Sequence, residues 1–282
     1  MAHRSFPLSE ATVPKLVWRP QAGSTNVELV EAATGADAAD WPDLSVLATD
    51  DQVAGRGRLG RTWTAPAGRS LAISVLLRPR RVSGEAVPLN RYGMLPLLAG
   101  VAMSQVVGRL VGSAHISNQQ HAAEKVSLKW PNDVLIGDRK VCGILAELLP
   151  EGQGVVIGAG INLTLTADEL PTPVATSLAL AGVHAVSADA VLAGYLRDLS
   201  VLYRHWLAAD GDAVASGVLE AAVRMSGTLG RRVRVELPGG EVKTGVARSI
   251  DETGRLVVEV DGAADPLVVA AGDVTHLRHD DS

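Results

Sequence analysis

Apolar and polar positions along the chain fall into alternating, continuous and helical patterns, and their order predicts most of the elements. Apolar runs at 16–18, 44–49 and 70–78 read as strands, the last (SLAISVLLR) continuous enough to be well buried. Further strand-like runs follow at 126–130, 134–136, 140–149 and 154–165, with Gly137-Asp138 as a turn signal. Thr25 and Glu28 have the spacing of a capping box, so a helix is expected from there to Gly35. Other helices are expected from Arg91 to about Gly112 and over roughly 187–209 and 212–226. The polar stretch 112–125 reads as a surface loop. After Gly227 short alternating runs at 231–237, 241–250, 255–260 and 266–270, punctuated by Pro238-Gly239-Gly240, 251–254 and Gly262, predict a small β-barrel. The expected division is a flexible leader at 1–15, a large α+β domain at 16–227 and a small β domain at 228–282.

Composition narrows the class. The chain has 282 residues, enough for one large and one small core, and 47% of them are apolar, which excludes a disordered chain. A formal charge of −5 argues against bulk attraction to nucleic acid or to an anionic membrane. With Cys142 as the only cysteine no internal disulfide is possible, which fits a reducing compartment. No signal-peptide pattern opens the chain, and the longest apolar run, 95–107, contains Pro96 and Gly100 and reads as a core helix. The expected location is cytoplasmic.

Three segments carry candidate chemistry. Gly55-Arg-Gly-Arg-Leu-Gly-Arg61 contains G-x-G-x-x-G, but Thr62-Trp63-Thr64-Ala65-Pro66 follows rather than a helix, so a dinucleotide fold is rejected. What remains is Arg56, Arg58 and Arg61 without a neighbouring acid. Guanidinium groups pair with phosphate oxygens in a forked geometry, and the glycines let backbone wrap an anion. A solvated basic loop is the plainer reading. In the second segment, Lys129-Trp-Pro-Asn-Asp133 and Lys140 lie on adjacent runs that a hairpin would bring together. By composition this is a turn; functionally, Lys129 and Lys140 would add charge to a phosphate pocket and Asp133 a carboxylate for Mg²⁺ or an amine. The third is Gly158-Ala-Gly-Ile-Asn162, whose small residues would leave room for a flat ligand or mark a β-bulge. Cys142 lies in an apolar run and reads as inert, the seven histidines show no zinc spacing, and Trp130 and Trp206 read as core.

In this order and spacing the segments resemble the biotin–protein ligase family. The resemblance rests on Gly23-Ser-Thr-Asn26, Gln52-Val-Ala-Gly-Arg-Gly-Arg-Leu-Gly-Arg-Thr-Trp63, Lys129-Trp-Pro-Asn-Asp133, Lys140-Val-Cys-Gly-Ile-Leu-Ala-Glu147 and Gly158-Ala-Gly-Ile-Asn162, together with a helical 175–178 segment and the β-rich end. It spans about residues 16–278. It implies a mixed sheet packed with helices, like the catalytic domain of class II aminoacyl-tRNA synthetases, followed by a small SH3-like barrel. The ligand motif begins by residue 24, leaving no room for an N-terminal helix-turn-helix, so the ligase-only class is expected, without DNA binding. Asp50-Asp51 before Gln52 departs from the family's usual residues there.

The resemblance implies ATP-dependent attachment of biotin to a lysine of a biotin carboxyl carrier domain of acyl-CoA carboxylases, through biotinyl-5'-adenylate, with Mg²⁺. It places Ser24, Thr25, Asn26 and Gln52 around biotin. Gly55, Arg56, Gly57 and Arg58 fall in the loop over the adenylate, and Trp63 at the adenine. Lys129, Lys140, Gly143 and Asn162 complete the biotin and adenylate contacts, with Arg58, Lys140 and Asp133 as the catalytic set. Two anions must meet, so cations are needed and a protein nucleophile is not. A lipoate- or octanoate-transferring relative and a non-enzymatic nucleic-acid-binding protein are the alternatives. Monomer and homodimer are both compatible with the sequence.

Overall fold

The computed structural model describes residues 5–118, 124–237, 239–270 and 273–277. In chain order its elements begin with α1 (Pro7–Glu10), β1 (Leu16–Trp18), α2 (Thr25–Thr34), β2 (Val46–Thr49), β3 (Gly55–Arg56), β4 (Thr62–Trp63) and β5 (Ser70–Leu77). There follow α3 (Met94–Asn118), β6 (Val126–Lys129), β7 (Asp133–Ile136), β8 (Arg139–Leu148), β9 (Val155–Asn162), α4 (Ala188–Ala208) and α5 (Val218–Met225). The chain ends on β10 (Arg232–Glu236), β11 (Val242–Ile250), β12 (Leu256–Val260), β13 (Leu267–Val269) and β14 (Asp273–His276).

Seven strands form one mixed sheet in the order β1-β2-β5-β9-β8-β7-β6, in which only β1 and β2 run parallel. The continuous apolar run of β5 is buried on both faces, as its sequence requires. Leu71, Ile73, Val75 and Leu77 join Val155, Ile157, Ala159 and Ile161 of β9 in the main core with α3 and α4. The alternate positions face the other way: Leu76 and Val156 pack under α2 with Leu29 and Leu47. That second face, further along β5, β8 and β9, is the floor of the site. β3 and β4 pair as a separate two-stranded hairpin, and the last five strands form an antiparallel sheet, β13-β12-β11-β10-β14.

Several expectations are corrected. The leader is docked, not flexible, over the residues described: Phe6 is buried and stacks on Trp18 at 4.4 Å, and Ser9 donates through its backbone N and its Oγ to Asp189 Oδ1 at 2.9 and 2.6 Å. The 112–125 segment is not a loop at its start, because α3 runs on to Asn118, with Val111 buried and Ala114 packed on the core; residues 119–123 lie outside the described residues. Packing there overrides polar composition. The helix expected from 212 begins at Val218, since Asp212 Oδ1 accepts the backbone N–H groups of Val214 and Ala215 and holds a turn. Segment 175–178 is not helical: Ala175 forms a bridge to Lys140 instead. The helical stretch 89–116 is long and apolar enough to cross a membrane, yet it is mostly buried here as the core helix.

Candidate active site

A cavity of about 570 Å³ lies on the open face of the large sheet, between the β3–β4 hairpin and the C-terminal sheet. Its floor comes from alternate residues of three neighbouring strands: Ala72 on β5, Gly143 and Leu145 on β8, and Gly158, Gly160 and Asn162 on β9. The register of β5 with β9 is unbroken from Ser70↔Asn162 to Leu77↔Val155, so the glycines sit in regular strand rather than in a bulge. Each opens space for a specific group. A Cβ on Gly158 would lie 2.4 Å from Asn26 Oδ1, and one on Gly160 2.6 Å from Trp63 Cε2. The room expected for a flat ligand is thus partly filled by the protein's own amide and indole.

At one end of the floor α2 presents its first turn. Thr25 and Glu28 do not form a capping box; Ser24 is the N-cap residue, and Gln52 Oε1 accepts the Thr25 backbone N–H at 2.9 Å and lies 3.1 Å from its hydroxyl. Glu28 instead takes the Gly23 N–H at 2.8 Å. Fully buried Ser74 bonds the side chains of Thr25 and Asn26 at 2.8 and 2.6 Å. The Asn26 amide is further held by Leu145 O at 3.3 Å, leaving a fixed polar cluster for a small ring system. At the other end Asn162 donates to Thr176 O at 2.9 Å.

Above the floor stands the Arg–Gly segment. It is a hairpin between strands, with Gly55 paired to Trp63, and a Leu59 at its tip that is exposed and has φ 55°. Arg58 reaches inward, and its Nη1 donates to Asn132 Oδ1 at 3.1 Å, while Asn132 donates to Ile144 O at 2.9 Å. Burial lowers the Arg58 pKa, with the carboxylates of Asp273 and Asp133 acting the other way. Across the cavity Lys140 Nζ is 2.7 Å from Asp133 Oδ1 and 5.9 Å from the centroid of the Trp63 ring. Asp133 and Lys140 thus meet across the β7–β8 hairpin as an ion pair.

The residues expected from the sequence converge with one exception. Ser24, Thr25, Asn26, Gln52, Arg56, Gly57, Arg58, Trp63, Lys129, Asp133, Lys140, Gly143 and Asn162 all line the cavity; Gly55 does not, being packed on Trp63 O and the Gln52 amide. Cys142 is fully buried, and desolvation drives its thiol pKa far up, so it is inert. Sequence reasoning missed Ser74, Asn132 and a wall from the C-terminal sheet. That wall contains Arg231, Asp273, Thr275 and His276. His276 bonds Thr228 Oγ1 at 3.0 Å, and burial, aided by Lys129 and Arg231, depresses its pKa to about 4, leaving it neutral at physiological pH. A lone polar residue inside the apolar run of β5 was the available signal for Ser74; nothing local marked the wall.

The geometry makes one substitution informative here. Gly160→Ala forces the rigid Trp63 ring off its seat. If Trp63 borders the adenine, as the resemblance implies, affinity for ATP should fall about tenfold, while the melting temperature moves little because the indole can swing outward. Titration calorimetry alongside thermal melting checks this; unchanged affinity would show that Trp63 does not shape the nucleotide site.

The open face of the sheet thus carries a polar recess, a basic hairpin and the Lys140–Asp133 pair, an arrangement suited to an acyl-activating ligase. Residues 10–162 match the biotin/lipoate A/B protein ligase family and residues 228–277 the biotin protein ligase C terminal domain. The chain belongs to the biotin/lipoate A/B protein ligase family, on its biotin protein ligase branch. It is 40% identical to the biotin–[acetyl-CoA-carboxylase] ligase of Mycobacterium tuberculosis, over 92% of this chain and 87% of that one. It is 30% identical to the corresponding ligase of Paracoccus denitrificans, over 89% and 96%. The fold is that of the Aquifex aeolicus biotin protein ligase solved with biotin and ATP, with a TM-score of 0.68 over 94% of this chain and 99% of that one at 24% identity.

Proposed function

We propose that this protein attaches biotin to a lysine of a biotin carboxyl carrier domain, in two steps at the one cavity. The observation that carries the reading is the cavity's division into a fixed neutral polar end (Thr25, Asn26, Gln52, Ser74) and a cationic middle (Arg58, Lys140). A ureido ring fits the first and a carboxylate meeting a triphosphate the second.

In the first step a biotin carboxylate oxygen attacks the α-phosphorus of ATP. The new P–O bond replaces the bond to the leaving pyrophosphate, giving biotinyl-5'-adenylate. Lys140 and Arg58 offset the charge of the two anions, and Trp63 and Asn162 border the nucleotide. Magnesium enters as part of the Mg·ATP substrate; among the described residues no three His, Cys, Asp or Glu side chains converge to hold an ion. The hairpin, closing over the adenylate, limits water. In the second step the carrier lysine amine attacks the acyl carbon, AMP leaves, and an amide remains.

Asp133 has a stated place in that sequence. While Lys140 is bound to it, its carboxylate is occupied. Once Lys140 turns to the ligand's phosphate or carboxylate, Asp133 is released to orient the incoming amine. Asp133→Asn should therefore slow transfer about tenfold while adenylate formation changes less than threefold. Single-turnover transfer from preformed adenylate measures this; equal rates in both half-reactions would remove Asp133 from the mechanism.

The carrier expected from the relatives is the acetyl-CoA carboxylase subunit. Intact-mass analysis of such a carrier, incubated with this protein, biotin and Mg·ATP, should show one biotinyl increment that disappears without ATP. Lipoate or octanoate incorporation in preference to biotin would overturn the assignment, as would absence of both adenylate and product.

A further inference from the structure

Three of the cations around the cavity are paired with carboxylates: Lys140 with Asp133 at 2.7 Å, Arg231 with Asp138 at 3.1 Å, and Arg61 with Asp273. The last pair differs from the others in what it joins. Arg61 closes the basic hairpin, whereas Asp273 opens β14 of the C-terminal sheet, 212 positions along the chain. The side of β14 it uses is set by alternation, since Val274 is buried in the small core and Asp273 faces the cavity. Three cations lie within its field, Arg58, Arg61 and Lys129, and they outweigh partial burial, so its carboxyl stays ionised. Its cross-strand neighbour Glu236 is paired with Arg234 at 3.2 Å.

We propose that Asp273 is a positioning residue: it stands in for phosphate, holding the Arg61 guanidinium at the rim of the cavity, and the triphosphate of the nucleotide displaces it. This rests on the ligase reading above, because it takes a nucleoside triphosphate as the entering ligand. The pair suits exchange rather than locking. The Arg61 side chain is 65% exposed and that of Asp273 31% exposed, and ion pairs in such surroundings contribute little net stability. A guanidinium held that weakly transfers readily to a ligand of higher charge with matching forked geometry. Asp273 is thus an intramolecular competitor for the cation that the nucleotide needs, and it keeps the hairpin's end against the C-terminal sheet until the nucleotide arrives.

Titration calorimetry with ATP, on the full chain without biotin, tests the exchange. Asp273→Asn should bind ATP roughly two- to fivefold more tightly than wild type, the factor by which an exposed pair competes. Asp273→Glu should restore wild-type affinity, which a merely structural role would not predict, and Asp273→Ser serves if the Asn variant melts early. Arg61→Ala should bind about tenfold more weakly, and adding Asp273→Asn to it should then give no gain. A gain that persists without Arg61 would mean a general field effect and would overturn the pairing. Unchanged or weaker binding by Asp273→Asn would overturn it as well. Failure of the wild-type protein to bind ATP at all would instead bring down the ligase reading itself.

Discussion

Lys140→Ala is expected to slow adenylate formation about a thousandfold, measured as pyrophosphate release from biotin and ATP with no carrier present. The size follows from what the side chain faces. Its ammonium group lies over the Trp63 ring and against Asp133, at the place where the proposed reaction would bring a carboxylate and a triphosphate together. Removing it withdraws a positive charge from the point at which negative charge is concentrated, in a cavity that restricts water. The backbone around it is also fixed: Lys140 N donates to Val174 O at 2.7 Å and Lys140 O accepts from Thr176 N at 2.8 Å. Lys140→Arg should rescue poorly, because a Cβ at Gly143 would already lie 3.0 Å from the lysine Nζ, and a planar fork needs more width. The alanine variant also leaves Asp133 unpaired, with a stability loss of about 1 kcal/mol. Adding Asp133→Asn should recover that stability and not the rate, which separates the electrostatic role from a folding defect. A loss below tenfold would remove Lys140 from the charge-neutralising set.

Much of this arrangement was legible because it is local. The continuous apolar run of β5 predicts burial on both faces, and it is buried on both. The glycines of β9 read as room for a flat ligand or an approaching backbone, and the space above Gly158 and Gly160 is partly taken by the Asn26 and Trp63 side chains. The Arg–Gly segment was separated from a dinucleotide fold by the Thr-Trp-Thr-Ala-Pro that follows it, and it forms a hairpin. Features that depend on distant parts of the chain were not legible. The Thr25–Glu28 spacing suggested a capping box, but the acceptor for the Thr25 N–H comes from Gln52, which no periodicity could reveal. The Ala175–Leu178 segment is drawn out of helix by backbone bonds to Lys140. Asp273 and His276 belong to a short fourteenth strand beyond the last run that alternation marked, and only docking of the C-terminal sheet brings them to the cavity.

That docking depends on Trp130, and Trp130→Ala should destabilise the protein by about 3–5 kcal/mol in denaturant unfolding. Lys129-Trp-Pro-Asn-Asp133 supplies site residues on one side and an anchor on the other. The Trp130 indole is among the largest fully buried side chains, and its Nε1 donates to Gly254 O at 2.9 Å, in the turn between β11 and β12. Its backbone N–H donates to Thr228 Oγ1 at 2.9 Å, and Leu128 O accepts from Gly227 N at 2.9 Å. Gly254, at φ 88°, comes so close to Gly93 that a Cβ there would meet its carbonyl oxygen at 2.6 Å, so the β11–β12 turn meets the start of α3 backbone to backbone. Truncation to alanine removes the packing and leaves a buried carbonyl without its donor. Trp130→Phe keeps most of the packing and loses only the hydrogen bond, so it should cost about 1–3 kcal/mol. The two variants should also differ in function. Phenylalanine should leave the Arg231, Asp273 and His276 wall in place and ATP affinity near wild type. Alanine should change ATP affinity under conditions where the protein is still folded, because the wall that carries both Arg231 and the competing Asp273 is no longer held against the cavity. Equal ATP affinity in folded Trp130→Ala and wild-type protein would mean that the wall shelters the cavity without contacting the nucleotide.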